Sequence, residues 1–304
     1  MISTEEMNKS QKIFFVILTF FVCFIITNIL SFCILNICGI NMIKSQLTSE
    51  DVFQIWVYKI VQMLGSILIF IVPAIIISKF FGKSVKNYLN IKNSPSCLKY
   101  LLIILFMTVS FPILSLVTEW NSNIHFPQQF SFLEDILRKY EDENNNLINL
   151  FFLRTNWYDL IVNILIIALI PAIGEEMVFR GLMQKYFIKF LKKPHVSIII
   201  TAFIFSAIHF SFFGFISRFI LGIFLGYLAW RFNSLLPSIF AHFVNNFSAL
   251  IITFVLIRQD LDMNYLDEID FNISNTLMIL AMITVVISSL FVGFLLFRKE
   301  INKI

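Results

Sequence analysis

A chain of 304 residues with 58% hydrophobic residues, 37 Phe and 14% charged residues falls outside soluble domains, where about 45–50% apolar and about 25% charged residues are usual. The formal net charge of +4 comes from Lys and Arg that membrane orientation accounts for, so nucleic-acid binding is not indicated. The composition points to an integral membrane protein. Hydrophobic spans recur throughout and no Gly/Ser/Pro-rich linker divides them, so residues 1–304 are expected to form one all-α membrane domain.

A hydrocarbon core of about 30 Å asks for about 20 apolar residues per helix. Eight stretches are candidate spans: 13–35, 52–77, 101–117, 160–179, 196–210, 215–230, 235–257 and 277–297. The fifth and sixth are short and the break between them is weak, so a count of seven, or a re-entrant segment, stays open. The first span follows Lys9 and Lys12, yet it exceeds a signal-peptide core of about 7–15 residues and no small-residue cleavage site follows it, so a retained anchor is expected.

Cytoplasmic loops carry the excess of Lys and Arg. With both termini inside, the inner set includes Lys9, Lys12, the Lys of 79–99 and 185–193, Arg231 and the tail at 298–303. The outer set is sparser: Lys44, Arg138, Lys139, Arg154, Arg218 and Arg258, with Lys59 near the outer end of its span. Both termini are therefore expected in the cytoplasm, with the protein in the cell membrane and its basic loops against lipid headgroups at about 1 kcal/mol per cation. The outer acids, Glu134, Asp135, Glu141, Asp142 and Glu143 and the group at 260–270, are expected to be solvated faces without a chemical role.

In the fourth span, Pro171 and Gly174 precede Glu175 and Glu176. Breaks in membrane helices occur where protein or a wet cavity satisfies the freed backbone, so the acids are expected to face a cavity. An ionisable side chain at mid-membrane costs about 2.5–3.5 kcal/mol by insertion scales, which makes such residues candidates for function. Arg180 stands four residues after Glu176, the order and spacing that favour an ion pair. Glu176 and Arg180 are therefore expected to support structure, leaving Glu175 free to accept a proton.

Phe205 and His209 lie one turn apart in the fifth span, so the ring can orient the imidazole. His242 and Asn246 share a face of the seventh span, and such a donor pair suits a developing oxyanion. Taken alone, each set is equally the polar glue found between membrane helices. At 1.5 Å per residue, Glu175 lies about 15 Å from Lys185, His242 about 10 Å from the start of its span and His209 about 20 Å from Val196, depths that can meet around one cavity. An acid, two imidazoles and a carboxamide converging there would make a hydrolytic centre.

GEEMVFRG, FSAIH and HFVNN resemble, in type and order, the Glu-Glu-x-x-x-Arg, Phe-x-x-x-His and His-x-x-x-Asn motifs of the CPBP family. These are intramembrane proteases that include type II CAAX prenyl endopeptidases and bacteriocin-processing or immunity proteins. The resemblance spans residues 160–250, the expected catalytic core. It implies an intramembrane endopeptidase in which Glu175 and His209 activate a water while His242 and Asn246 bind the oxyanion. The substrate would be a membrane-associated or lipidated peptide. A site working without bound metal is expected, although Glu175, His209 and His242 also match a His₂Glu zinc set and no H-E-x-x-H pair is present. Two rivals are weighed: a proton-coupled transporter, which would call for repeat symmetry between the halves, and a non-enzymatic immunity or scaffold protein.

The remaining features are given structural roles. Gly222 and Gly226 are expected to mark a close helix contact, Cys23, Cys33, Cys38 and Cys97 to be small buried apolar residues, and His125 and His195 to lie in loops.

Overall fold

The structure, a computed structural model, describes residues 7–40, 47–82, 84–92 and 94–259, with positions 287 and 293. The expected eighth span at 277–297 lies, but for those two positions, outside the described residues. So do Lys44, Lys83, the acids at 260–270 and the basic tail. Among the described residues regular structure is entirely helical: α1 (Lys9–Ile37), α2 (Val52–Phe81), the short α3 (Val85–Tyr88), α4 (Cys97–Ser122), α5 (Ser131–Phe152), α6 (Trp157–Leu191), α7 (Pro194–Ala207), α8 (Phe215–Phe232) and α9 (Leu236–Arg258).

Six of these, α1, α2, α4, α6, α8 and α9, are long and apolar enough to cross a membrane. The chain is a polytopic all-α membrane protein. Helix α1 opens on a capping box in which Asn8 and Gln11 satisfy each other's backbone N–H at 2.9 Å. Its flanks leave Phe14, Phe21 and Phe32 more than half exposed, as suits helices whose solvent is lipid. Half of the apolar window of α6 is buried, against 11–28% in the other candidate spans. This helix is the axis of the bundle.

Three features depart from the sequence reading. Helix α6 is continuous through Pro171 and Gly174, because π-helical turns at Ile164–Leu169 and Met177–Gln184 absorb the irregularity within the helix. Gly174 serves close packing instead, since a Cβ there would lie 2.8 Å from Phe70 Cβ on α2. The fifth span stops early: α7 has 14 residues, about 21 Å of rise, which falls short of a bilayer core. His209 consequently stands beyond its end, in a turn.

The segment between α4 and α6, expected to be a solvated outer loop, is also more ordered than that. It contains the amphipathic α5, and two of its acids are engaged: Glu134 accepts from Phe126 N–H at 2.7 Å and Arg138 Nε at 2.9 Å, while Glu141 binds the turn after His209. His195 belongs to the first turn of α7, where its Nδ1 meets the Tyr227 hydroxyl at 2.7 Å. Of the cysteines only Cys23 is buried, whereas Cys33 and Cys97 are exposed.

The G-x-x-x-G of α8 does face α7, as a Cβ on Gly222 would lie 3.1 Å from Ala202 Cβ and one on Gly226 2.8 Å from Ile198 Cγ2. On the side of the basic loops, Asn90 and Asn233 both take left-handed backbone, at φ 58° and 46°. They are joined side chain to side chain at 2.7 Å, and Leu235 N–H donates to Asn90 O at 3.0 Å. These bonds tie α3 to the start of α9.

Candidate active site

Glu175 lies 18 residues after Trp157 and 16 before Leu191 on α6, about 27 and 24 Å from the helix ends. This is mid-helix and mid-bundle. Its neighbour Glu176 points to a different face and is wholly buried. Oε1 of Glu176 receives Arg180 Nη1 at 2.6 Å and His242 Nδ1 at 3.0 Å, and Oε2 receives the Ser238 hydroxyl. A buried carboxylate so fully paired avoids the several kcal/mol that an isolated buried charge costs.

Arg180 spends a second nitrogen on the Gly222 carbonyl at 3.0 Å, and its guanidinium lies 4.5 Å above the Phe205 ring. Gln184, one turn on, does the same with the Gly226 carbonyl at 2.9 Å. The glycines of α8 thus admit both α7 and two polar side chains of α6. Phe205 also meets His209 and His242 edge to face, at centroid distances of 5.1 and 5.8 Å. It holds three members of the site rather than one.

His209 Nδ1 stands 2.7 Å from the Phe205 carbonyl. A carbonyl can only accept, so Nδ1 carries the proton and Nε2 is left with a lone pair in the neutral ring. The same logic holds for His242, whose Nδ1 faces the Glu176 carboxylate. Both Nε2 atoms turn toward Glu175 Oε2, at 3.9 Å from His209 and 3.8 Å from His242. That oxygen is buried and has no hydrogen-bond partner in the protein. Three acceptors thus surround one point, an arrangement that calls for a donor such as water, or for a cation.

A tetrahedral zinc with ligands at about 2.0–2.1 Å would hold neighbouring donor atoms roughly 3.3–3.4 Å apart. The separations here are wider, and among the described residues no group of three His, Cys, Asp or Glu is arranged to hold a metal ion. Glu175 Oε2 would have to draw closer to each Nε2 atom by about half an ångström for the three groups to share a zinc.

Asn246 lies one turn beyond His242, half-buried, and its amide donates to the Ile167 carbonyl at 3.5 Å. Pro171 has no N–H with which to pair that carbonyl four residues back, so the amide reaches the acceptor left by the proline. Asn245 in turn donates to Asn246 Oδ1 at 3.3 Å. Glu175, His209 and His242 are therefore brought together, Glu176, Arg180 and Phe205 surround them, and Asn246 stands one turn away with its amide held at 3.5 Å.

Four contributors were not assigned to the site from the sequence: Ser238, Asn121, Arg218, which was read only as an orienting charge, and Glu141, which was expected to be a solvated acid. Ser238 had a signal, since it precedes His242 by four residues on α9 and so shares its face. Asn121 and Glu141 act on the turn after His209 from distant segments, where no local spacing announces them, and Arg218 reaches it from the first turn of α8.

Residues 157–248 match the family model described as Type II CAAX prenyl endopeptidase Rce1-like. No curated protein and no solved structure matches the chain significantly. The matched segment starts at the first residue of α6 and ends within α9, and it contains Glu175, Glu176, Arg180, Phe205, His209, His242 and Asn246. The chain thus carries, over residues 157–248, a domain of the Rce1-like type II CAAX prenyl endopeptidase family.

Proposed function

We propose that this protein is an intramembrane endopeptidase that hydrolyses a peptide bond of a membrane-associated or lipidated peptide. The observation carrying the reading is the unpaired, buried Glu175 Oε2 set between two imidazole Nε2 atoms. A water at about 2.8 Å from that oxygen and from either nitrogen is compatible with separations of 3.8 and 3.9 Å. Glu175 takes one proton from this water, His209 accepts its other hydrogen bond, and the resulting hydroxide attacks the carbonyl carbon. The proton then passes from Glu175 to the departing amine nitrogen as the C–N bond breaks.

The developing oxyanion falls to His242 and Asn246. Because His242 Nδ1 is engaged by Glu176, its Nε2 donates to the oxyanion once Glu175 has passed it the proton taken from the water, and it returns that proton to Glu175 before the amine departs. Asn246 joins by turning its amide away from Ile167, and a bond of 3.5 Å is weak enough to give up. Lipid surrounds the bundle, and entry from the lipid or the basic, cytoplasmic side is supported by the way α5 and the end of α4 cover the acidic side of the His209 turn.

The full chain in lipid nanodiscs, given an internally quenched farnesylated peptide and its unprenylated counterpart, tests the reading. The wild type cleaves at least one of them and Glu175→Gln neither. Equal cleavage by both proteins, or by neither, sinks it.

A further inference from the structure

The connection from α7 to α8 places His209 on a turn rather than on a helix, and the next residue, Phe210, has φ 49°. A side chain other than glycine holds left-handed backbone only where the surroundings over-determine it. What the surroundings supply here is a clamp from three directions. From the end of α4, buried Asn121 gives its Nδ2–H to the Phe212 carbonyl at 3.1 Å and accepts from Ile216 N–H at 3.0 Å. From α5, Glu141 accepts from the Ser211 hydroxyl at 2.9 Å with one oxygen and from Phe213 N–H at 3.3 Å with the other.

From α8 itself, Arg218 Nη2 donates to Ser211 Oγ at 2.7 Å, so Ser211 links the Glu141 carboxylate to a guanidinium. Arg138 of α5 lies 4.1 Å over the Phe213 ring, and the Ser206 hydroxyl closes the base of the turn on the Phe215 carbonyl at 2.6 Å. The His209 imidazole makes one hydrogen bond, through Nδ1 to the Phe205 carbonyl, and its backbone N–H donates to the Ser206 carbonyl at 3.4 Å. The direction of its Nε2 therefore depends on where the turn is held.

We infer that Glu141 and Asn121 are positioning residues for His209, a peripheral helix and a helix end that aim Nε2 at Glu175 by bonding residues 211–216. The inference rests on the proposed function for its catalytic consequence and on the turn geometry alone for its structural one. Glu141 supplies two acceptors and a charge opposite Arg218. Removal of the side chain strips the Ser211 O–H and the Phe213 N–H of their acceptor and leaves Arg218 without its opposing charge, and the strained turn relaxes away from α6.

The test uses the full chain in nanodiscs as wild type, Glu141→Ala, Glu141→Gln and Asn121→Ala. Carbethoxylation of His209 by diethylpyrocarbonate, followed by mass spectrometry with His195 as internal reference, reads the turn without reference to activity. In Glu141→Ala and Asn121→Ala the His209 rate rises about five-fold or more while the His195 rate is unchanged; Glu141→Gln, which keeps one acceptor, falls between. On the quenched farnesylated peptide the alanine variants lose about ten- to hundred-fold in kcat with KM within two-fold, as expected for a misdirected base rather than a lost binding contact.

An unchanged His209 labelling rate in folded Glu141→Ala overturns the inference. So does a fall in cleavage carried by KM with kcat intact. Faster labelling in a protein that cleaves neither peptide keeps the positioning and removes the protease reading, so the two failures are told apart.

Discussion

Glu176 and His242 are joined through Oε1 and Nδ1 at 3.0 Å, and this contact turns the opposite ring nitrogen to within 3.8 Å of Glu175. Glu176 therefore does more than neutralise Arg180: it orients an imidazole of the site. Adjacent carboxylates of one helix end up with separate tasks because one faces a set of donors and the other faces two lone pairs.

That division separates the two acids experimentally. Glu175→Gln should unfold within a degree or two of wild type and lose about 10²–10⁴-fold in turnover, the usual worth of a general base. His209→Ala and His242→Ala should be similarly inactive. Glu176→Ala strands the buried Arg180 and should cost about 3–5 kcal/mol of stability, read as a fall in the thermal midpoint in detergent. An active, folded Glu175→Gln beside an inactive, folded Glu176→Ala would reverse the assignment.

Asn246→Ala should remain folded, since its one bond to α6 is 3.5 Å long, and should lower kcat by about 10²–10³, as the loss of one oxyanion donor does. Asn246→Asp keeps the shape but has no N–H to give and should be no better. A kcat within three-fold of wild type in either variant would take Asn246 out of the mechanism.

Metal content can be measured directly. The spacing around Glu175 Oε2 leads us to expect purified protein with well under one zinc per chain and cleavage that survives dialysis against a chelator. Stoichiometric zinc lost together with activity would show that the three side chains draw inward around a metal.

Gly226 is a tight point between α6, α7 and α8, with Gln184 Oε1 and Ile198 Cγ2 both 2.8 Å from an added Cβ. Gly226→Ala should therefore destabilise by about 1–3 kcal/mol through overpacking. Gly39→Ala makes an informative contrast: nothing lies within 4 Å, but φ is +68°, so any cost there comes from the backbone alone. Thermal midpoints of the two variants separate the effects.

Acid should loosen the start of α5 in a defined window. The Phe126 N–H, foremost, with Arg138 and His125, holds the Glu134 carboxyl down to about 2 from its ordinary 4.5. A group whose folded value is depressed contributes its stabilisation fully above the unfolded value and loses it as pH falls toward the folded one. Hydrogen exchange of residues 124–138, corrected for intrinsic rates, should be flat above pH 4.5 and accelerate between 4.5 and about 2. In Glu134→Gln it should be fast and show no such transition.

Much of this molecule was determined locally, by the sequence itself. Apolar runs of bilayer length dictate membrane helices, because unpaired backbone cannot face lipid. The four-residue step from Glu176 to Arg180 dictates an ion pair on one helix face, and Gly222 and Gly226 recur at the period that lets a second helix approach. What the tertiary structure alone decided lies across the chain: Glu176 with His242, 66 residues apart, Asn246 with Ile167, 79 apart, and Glu141 with Ser211, 70 apart. Periodicity assigns a side chain to a face of its own helix but carries no information about which face of another helix it will meet. So the end of α7 before His209, the turn that carries His209 and the capture of an acid of α5 by that turn emerged only from how the helices pack.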